Sequence, residues 1–252
     1  MTRFAFQRPD GRQPDQLRPV KITRGYLKFA RGSCLVEVGD TRVLCTVLVE
    51  ESVPPFIEDT GKGWVTAEYG MLPASTKQRK SREGRQGRAD GRTMEIQRLV
   101  GRAMRAAIDL ELLGERTLWI DCDVIQADGG TRCAAITGAQ IAVADAVRSM
   151  LKEQLIMKDP LRPFIAAVSA GIVKGTAVLD LNYIEDSSAD VDMNLVMNDA
   201  GELIEVQGTA EHRPFGRNRL VELLDLGQKG IQELIAMQKA ALDAGAPAPA
   251  PK

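Results

Sequence analysis

The chain opens in a period-two pattern of apolar and polar positions. Residues 17–23 read as one strand. Residues 33–38 and 42–50 read as a hairpin, their β-branched runs LVEV and TRVLCTVLVE joined through Gly39-Asp40. Pro54-Pro55 ends the hairpin, and a further strand is expected over 64–69. The period then lengthens. Ile96, Leu99, Val100, Ala103, Met104, Ala107 and Ile108 keep the three-four spacing of one buried helical face, which predicts a helix over 93–113 stopped by Gly114. Residues 117–127 (TLWIDCDVIQA) return to period two, with Asp121 and Asp123 on the face opposite Ile120 and Cys122. Gly129-Gly130 turns the chain into a second helix, about 133–153, rich in alanine and apolar on most sides, hence central.

Pro160 and Pro163 separate this part from a second one. There, strands are expected at 164–173, 176–183, 190–198 and 203–209, followed by an amphipathic helix over 216–242. Leu220, Leu223, Leu224, Ile231, Leu234 and Ile235 lie on one face of that helix. The closing GAPAPAPK is a low-complexity Pro/Ala tail, expected to be disordered. Strands mixed with helices on this scale give an α/β (α+β) chain.

Composition narrows the chemistry. The net charge of 252 residues is −1, so a nucleic-acid surface has to come from local clustering. Cys34, Cys45, Cys122 and Cys133 form no C-x-x-C pair, and with one histidine a Cys/His zinc site lacks ligands; free thiols in a reducing compartment are expected. The start MTRFAFQRPDGRQ has no signal-like apolar stretch, and no run approaches the ~18 apolar residues of a membrane span, so a cytoplasmic protein without membrane contact is expected. His212, in EHRPFGR, is the sole candidate for a Ser-His-Asp or Cys-His arrangement, no nucleophile elbow accompanies it, and it reads as a surface residue. Chemistry here must rest on carboxylates, arginines and backbone amides.

Four features could carry it. Arg92 stands at the start of the first long helix, where free N–H groups and the helix dipole favour an anion; it is equally a member of the basic loop. Asp128-Gly129-Gly130-Thr131-Arg132 enters the second helix. Glycines admit close backbone approach, Thr131 can cap the helix or donate to an anion, and Arg132 adds a guanidinium, although such turns also occur without function. The segment 180–192 crowds Asp180, Glu185, Asp186, Asp190 and Asp192 together; these repel one another unless something positive intervenes, for which Mg²⁺ held by one or two of the carboxylates is a natural answer, the plain alternative being an acidic strand edge. Residues 77–92 carry seven basic side chains (Lys77, Arg79, Lys80, Arg82, Arg85, Arg88, Arg92) against Glu83 and Asp90, a glycine-rich mobile loop suited to an RNA backbone or simply to solvent. Aromatic residues make up 4%, which speaks against base-stacking platforms. Arg98, Arg102 and Arg105 form a basic stripe on the first helix, with Glu95 and Asp109 in reach of its ends.

Four stretches resemble the ribonuclease PH family of phosphorolytic tRNA nucleotidyltransferases: GKGWVTAEYGMLP (61–73), the whole of 91–132 from GRTMEIQR to DGGTR, LDLNYIEDSSADVDMN (179–194) and EVQGTAE (205–211). The resemblance runs from about Asp10 to Gln238. It implies a ribosomal-protein-S5-domain-2-like α/β unit (10–157) carrying the phosphate site and basic loop. A smaller α/β unit (158–242) would carry the acidic metal segment, with 243–252 as the tail. It assigns phosphate binding to Arg92, Gly130, Thr131 and Arg132, catalysis and a divalent metal, Mg²⁺, to Asp186 and Asp192, and RNA contacts to Lys77, Arg79, Lys80, Arg82, Arg85 and Arg88. The implied activity is a phosphate-dependent 3′-to-5′ exoribonuclease. With inorganic phosphate as co-substrate it trims nucleotides beyond the 3′ CCA end of tRNA precursors, or acts on rRNA, as a homo-hexameric trimer of dimers. Two rivals stand beside this: a non-catalytic RNA-binding ring subunit and a transferase acting on nucleosides.

Overall fold

The period-two segments become two sheets in a computed structural model that describes residues 7–82 and 90–245. The first sheet holds β1 (Val20–Arg24), β2 (Gly32–Val38), β3 (Thr41–Glu50), β4 (Trp64–Met71) and β5 (Thr117–Gln126), in the order β1-β2-β3-β5-β4. Alternation sets its two faces. Cys34, Val36, Val43, Cys45, Val47, Leu118, Ile120, Cys122 and Val124 are buried, while Leu48, Trp119 and Asp123 on the other face are exposed. All pairings are antiparallel except β4 with β5. A parallel neighbour needs a crossover, and helix α1 (Gly91–Ala106) lies in that connection.

The helix expected over 93–113 is two helices. α1 ends at Ala106, Ile108 pairs with Leu161 in a β-bridge, and α2 (Leu110–Leu113) starts afresh. The break lies at Asp109, whose carboxylate accepts from the amides of Glu111 (3.0 Å) and Leu112 (3.2 Å). Aspartate favours that capping role over a helix interior. Ile108 is buried on either reading, so the apolar spacing conceals the break.

The second sheet is antiparallel throughout: β6 (Ile165–Val173), β7 (Thr176–Leu179), β8 (Val191–Asn198) and β9 (Leu203–Ala210), in the order β7-β6-β8-β9. The strand expected over 176–183 stops at Leu179. Asp180 takes a left-handed φ of 52°, and Asn182 then caps the short helix α4 (Tyr183–Asp186) in a reciprocal box with Glu185.

Helix α3 (Thr131–Lys152) lies between the sheets, and its buried residues Ile136, Ala139, Ile141 and Val143 share one core with both. Helix α5 (Arg217–Asp243) covers the far face of the second sheet, packing Leu223, Ile231, Leu234 and Ile235 on Met193 and Leu195. The four cysteines are buried and unpaired, and burial pushes the thiols of Cys34 and Cys133 up to about 12, so they stay protonated and inert.

Candidate active site

The site starts from the turn into α3. Gly129 and Gly130 have φ of 77° and 65°, a region that side chains rarely adopt. Gly129 also sits so close to the entry of α4 that a Cβ would come within 2.7 Å of the Leu181 carbonyl oxygen. Gly130, not Thr131, is the N-cap, and no side chain caps the helix. The first amides of α3 therefore lack intrahelical partners, at the wall of a cavity of about 440 Å³ that Gly130, Thr131 and Arg132 line. The Thr131 hydroxyl is 2.8 Å from Tyr69 Oη. Burial raises the Tyr69 phenol pKa, keeping it protonated and able to donate to Thr131.

The same cavity collects Arg92, Asp186, Asp192, Asn194 and Glu211. Arg92 enters from the exposed first turn of α1. Two groups contact Arg132: Glu95 Oε2 at 3.3 Å, expected instead to serve the stripe on the first helix, and Gln207 Oε1, which accepts from Nη1 at 3.2 Å. Gln207 in turn donates to Glu95 (3.1 Å). Asp192 alternates with buried Val191 and Met193 along β8 and so faces the cavity. Burial first, then the neighbouring Asp186 charge, pushes its carboxyl up to about 6. Burial also raises Asp186, against the through-space pull of Arg92 and Arg132.

The acidic segment divides. Asp180 and Glu185 do not face the cavity; three N-terminal arginines neutralise them. Arg8 grips Glu185 with Nε and Nη2, both at 2.7 Å, with both side chains almost fully buried. Arg18 grips Asp180 at 3.0 and 2.7 Å, and Arg12 reaches both carboxylates at 3.4 and 3.5 Å. The positive charge that this crowding calls for thus comes in part from the protein itself, which supplies arginines to two of the five carboxylates. Among the described residues, Asp186 and Asp192 keep no such partner within hydrogen-bond range, and Asp192 receives a long 3.5 Å contact from Asn194 Nδ2. No group of three or more His, Cys, Asp or Glu able to hold a metal occurs among the described residues. A two-carboxylate site suits a hard cation that draws its remaining ligands from substrate oxygens and water.

The basic loop is partly described. Lys77, Arg79 and Arg82 are exposed, while Lys80 folds back with Nζ 3.5 Å from Met71 Sδ. Arg85 and Arg88 lie outside the described residues. Two of the three stripe arginines on α1 are tied down: Arg102 pairs with Glu205 at 2.7 Å and Arg105 donates to the Val65 carbonyl at 2.8 Å, while Arg98 is exposed. Asp109 pairs with Arg162 (3.5 Å) and Glu95 with Arg132, so neither serves the stripe. His212 is exposed, as its charged surroundings predict, yet it lines the cavity.

Comparison with known proteins decides the family. Residues 16–149 match domain 1, and residues 164–230 domain 2, of the RNase PH 3′ exoribonuclease family. The chain belongs to the 3′ exoribonuclease family. Solved structures share the fold of this family member. Rrp46 of rice (Oryza sativa) is 22% identical, with a TM-score of 0.75 over 93% of this chain and 100% of its own. A chain of the Archaeoglobus fulgidus exosome, in a structure with RNA bound to the active site, is 22% identical with a TM-score of 0.80 over 92% of each. An archaeal exosome core chain is 24% identical, with a TM-score of 0.75 over 92% of this chain and 91% of its own. The two-unit α/β architecture expected from the sequence is the architecture of this family. Among the described residues no helix of this exoribonuclease family member is long and apolar enough to cross a membrane.

Proposed function

We propose that the chain is a phosphorolytic 3′-to-5′ exoribonuclease that trims nucleotides beyond the 3′ CCA end of tRNA precursors, with rRNA ends as further substrates, and works in the cytoplasm as a homo-hexameric trimer of dimers. The observation that carries the reading is one cavity that joins two arginines and the free amides of α3 to two carboxylates that those arginines reach only through space. The first set suits a phosphate dianion and the second a metal-bound phosphodiester. The likeness to an exosome chain solved with RNA at its active site supports an RNA substrate and a ring.

In the reaction, an oxygen of HPO₄²⁻ attacks the terminal phosphorus and the bond to the preceding 3′ oxygen breaks. The proton of the attacking phosphate ends on that oxygen, and a nucleoside diphosphate leaves; the reverse adds a nucleotide. No histidine base is needed. Positioning and charge neutralisation carry the catalysis. Arg92, Arg132 and the amides at 130–132 hold the attacking phosphate. With Tyr69 donating to Thr131, the threonine proton is free for the same anion. Asp186 and Asp192 would hold Mg²⁺, which supplies positive charge to the phosphate oxygens. Lys77, Arg79, Lys80 and Arg82, with Arg85 and Arg88, guide the RNA strand by its backbone.

The test is a tRNA bearing extra 3′ nucleotides, incubated with the protein and Mg²⁺ with and without phosphate. Nucleoside diphosphates released only with phosphate are expected. Monophosphates, or release independent of phosphate, would remove the phosphorolytic reading.

A further inference from the structure

Arg18 spends its guanidinium on more than an ion pair. Nε and Nη2 form the fork on Asp180, Nη1 donates to the Asp128 carbonyl at 2.6 Å, and Nη2 reaches the Gly129 carbonyl at 3.5 Å. Its backbone amide adds a 2.8 Å bond to Asp180 Oδ2. The side chain is 4% exposed. It thus links the turn that opens α3 to the bend that opens α4. A glycine pair has few intrinsic constraints, so its peptide planes need external ties. In a planar trans peptide the carbonyl and the amide point in opposite directions. Arg18 holds the Asp128 carbonyl and, beside the shorter 2.7 Å bond from Thr41 Oγ1, helps to hold that of Gly129, which fixes the directions of the Gly129 and Gly130 amides. On the α4 side, Asp180 is locked by Arg18 while its neighbour in the cluster, Glu185, directly precedes Asp186 and is gripped by Arg8.

We propose that Arg18 is a positioning residue: it fixes the Gly129-Gly130 turn against the entry of α4, and so sets the spacing between the phosphate-holding amides and the Asp186 carboxylate. It touches neither substrate. Its fork is essential to this role, because a lysine ammonium meets Asp180 as a point charge and cannot also hold two carbonyls in a plane.

This inference rests on the phosphate site of the proposed function, and the experiment keeps the two apart. Arg18→Lys is compared with the parent for melting temperature, for KM of phosphate and of RNA, and for inorganic phosphate binding followed by ³¹P NMR. With the fold retained, phosphate KM and phosphate Kd should each rise about tenfold, while RNA KM stays within about twofold. Unchanged phosphate constants in a folded Arg18→Lys overturn the proposal, as does a rise of both KM values together. If Arg18→Lys does not fold, Asp180→Asn, which keeps the shape of the partner but removes its charge, is read the same way. A parent that binds phosphate yet releases no diphosphate defeats the phosphorolytic reading alone, and the NMR titration still decides Arg18.

Discussion

Within thirteen positions of one segment, two pairs of carboxylates meet opposite fates. Asp180 and Glu185 are buried against Arg8, Arg12 and Arg18. Asp186 and Asp192 face the cavity, and their carboxyl pKa values rise through burial, Asp192 to about 6. Glu185 and Asp186 are neighbours in sequence and differ only in which side of α4 they leave. Counting acids therefore does not tell which of them face the cavity; the direct arginine partners of Asp180 and Glu185 do. The first pair holds the segment in place, and the second stays open to a ligand in the cavity.

The sharpest way to break that contrast is Glu185→Ala, which strands Arg8 in the interior. Stability should fall by about 3–5 kcal/mol in urea unfolding; a loss under about 1 kcal/mol would rank the pair with ordinary surface bridges. Asp192→Asn should do the reverse. Turnover drops by about 10²-fold or more, yet stability at neutral pH, measured with a chelator present, does not fall. The sign follows from the raised carboxyl: between 3.8 and about 6 the folded protein keeps a proton the unfolded chain has lost. Asp192 thus lowers stability as pH rises through that window. Asparagine removes this slope, and a stability loss at pH 7 would place Asp192 with the structural pair. Arg92→Ala, at an exposed position, should leave the melting temperature alone and weaken the phosphate response by about 2–4 kcal/mol. Phosphate saturation curves that superimpose on those of the parent would take Arg92 out of the site. Smallest is Glu95→Gln, which releases Arg132 from a half-exposed competitor: phosphate KM should fall by about twofold to threefold, and a rise would recast Glu95 as a support for Arg132.

Local patterns carried much of this architecture. The hairpin of β2 and β3, the outward Asp121 and Asp123, and the long apolar α3 follow from periodicity alone. The phosphate and metal residues that resemblance marked, Arg92, Gly130 to Arg132, Asp186 and Asp192, line a single cavity, and the described basic-loop residues that it marked for RNA do not. What stayed hidden is long-range. Arg8 and Glu185 are 177 positions apart, and Arg18 and Asp180 are 162 apart, so no spacing rule couples them. Arg8 stands ahead of the stretch where the resemblance begins. Glu95 and Gln207 sit inside recognisable motifs, but only the meeting of α1 with β9 turns them into partners of Arg132. The α4 turn was more accessible: Asn182 followed three positions later by Glu185 spells a capping box, which the apolar alternation of 176–183 masked.

Helix α3 has a consequence for cooperativity. One side of it floors the first sheet and the other packs under Ile165 and Ala167 of the second, where Thr137 Oγ1 accepts from the Ala167 amide at 3.3 Å. Gln238 of α5 closes the arrangement by donating to the carbonyls of Thr137 and Ile165, at 2.9 and 3.1 Å. Neither sheet can shed α3 without opening its own interior to water, so heat or denaturant should dissolve both in one transition. The same linkage means that the two sides of the cavity, the starts of α1 and α3 on one and the second sheet with its α4 segment on the other, are present together or lost together.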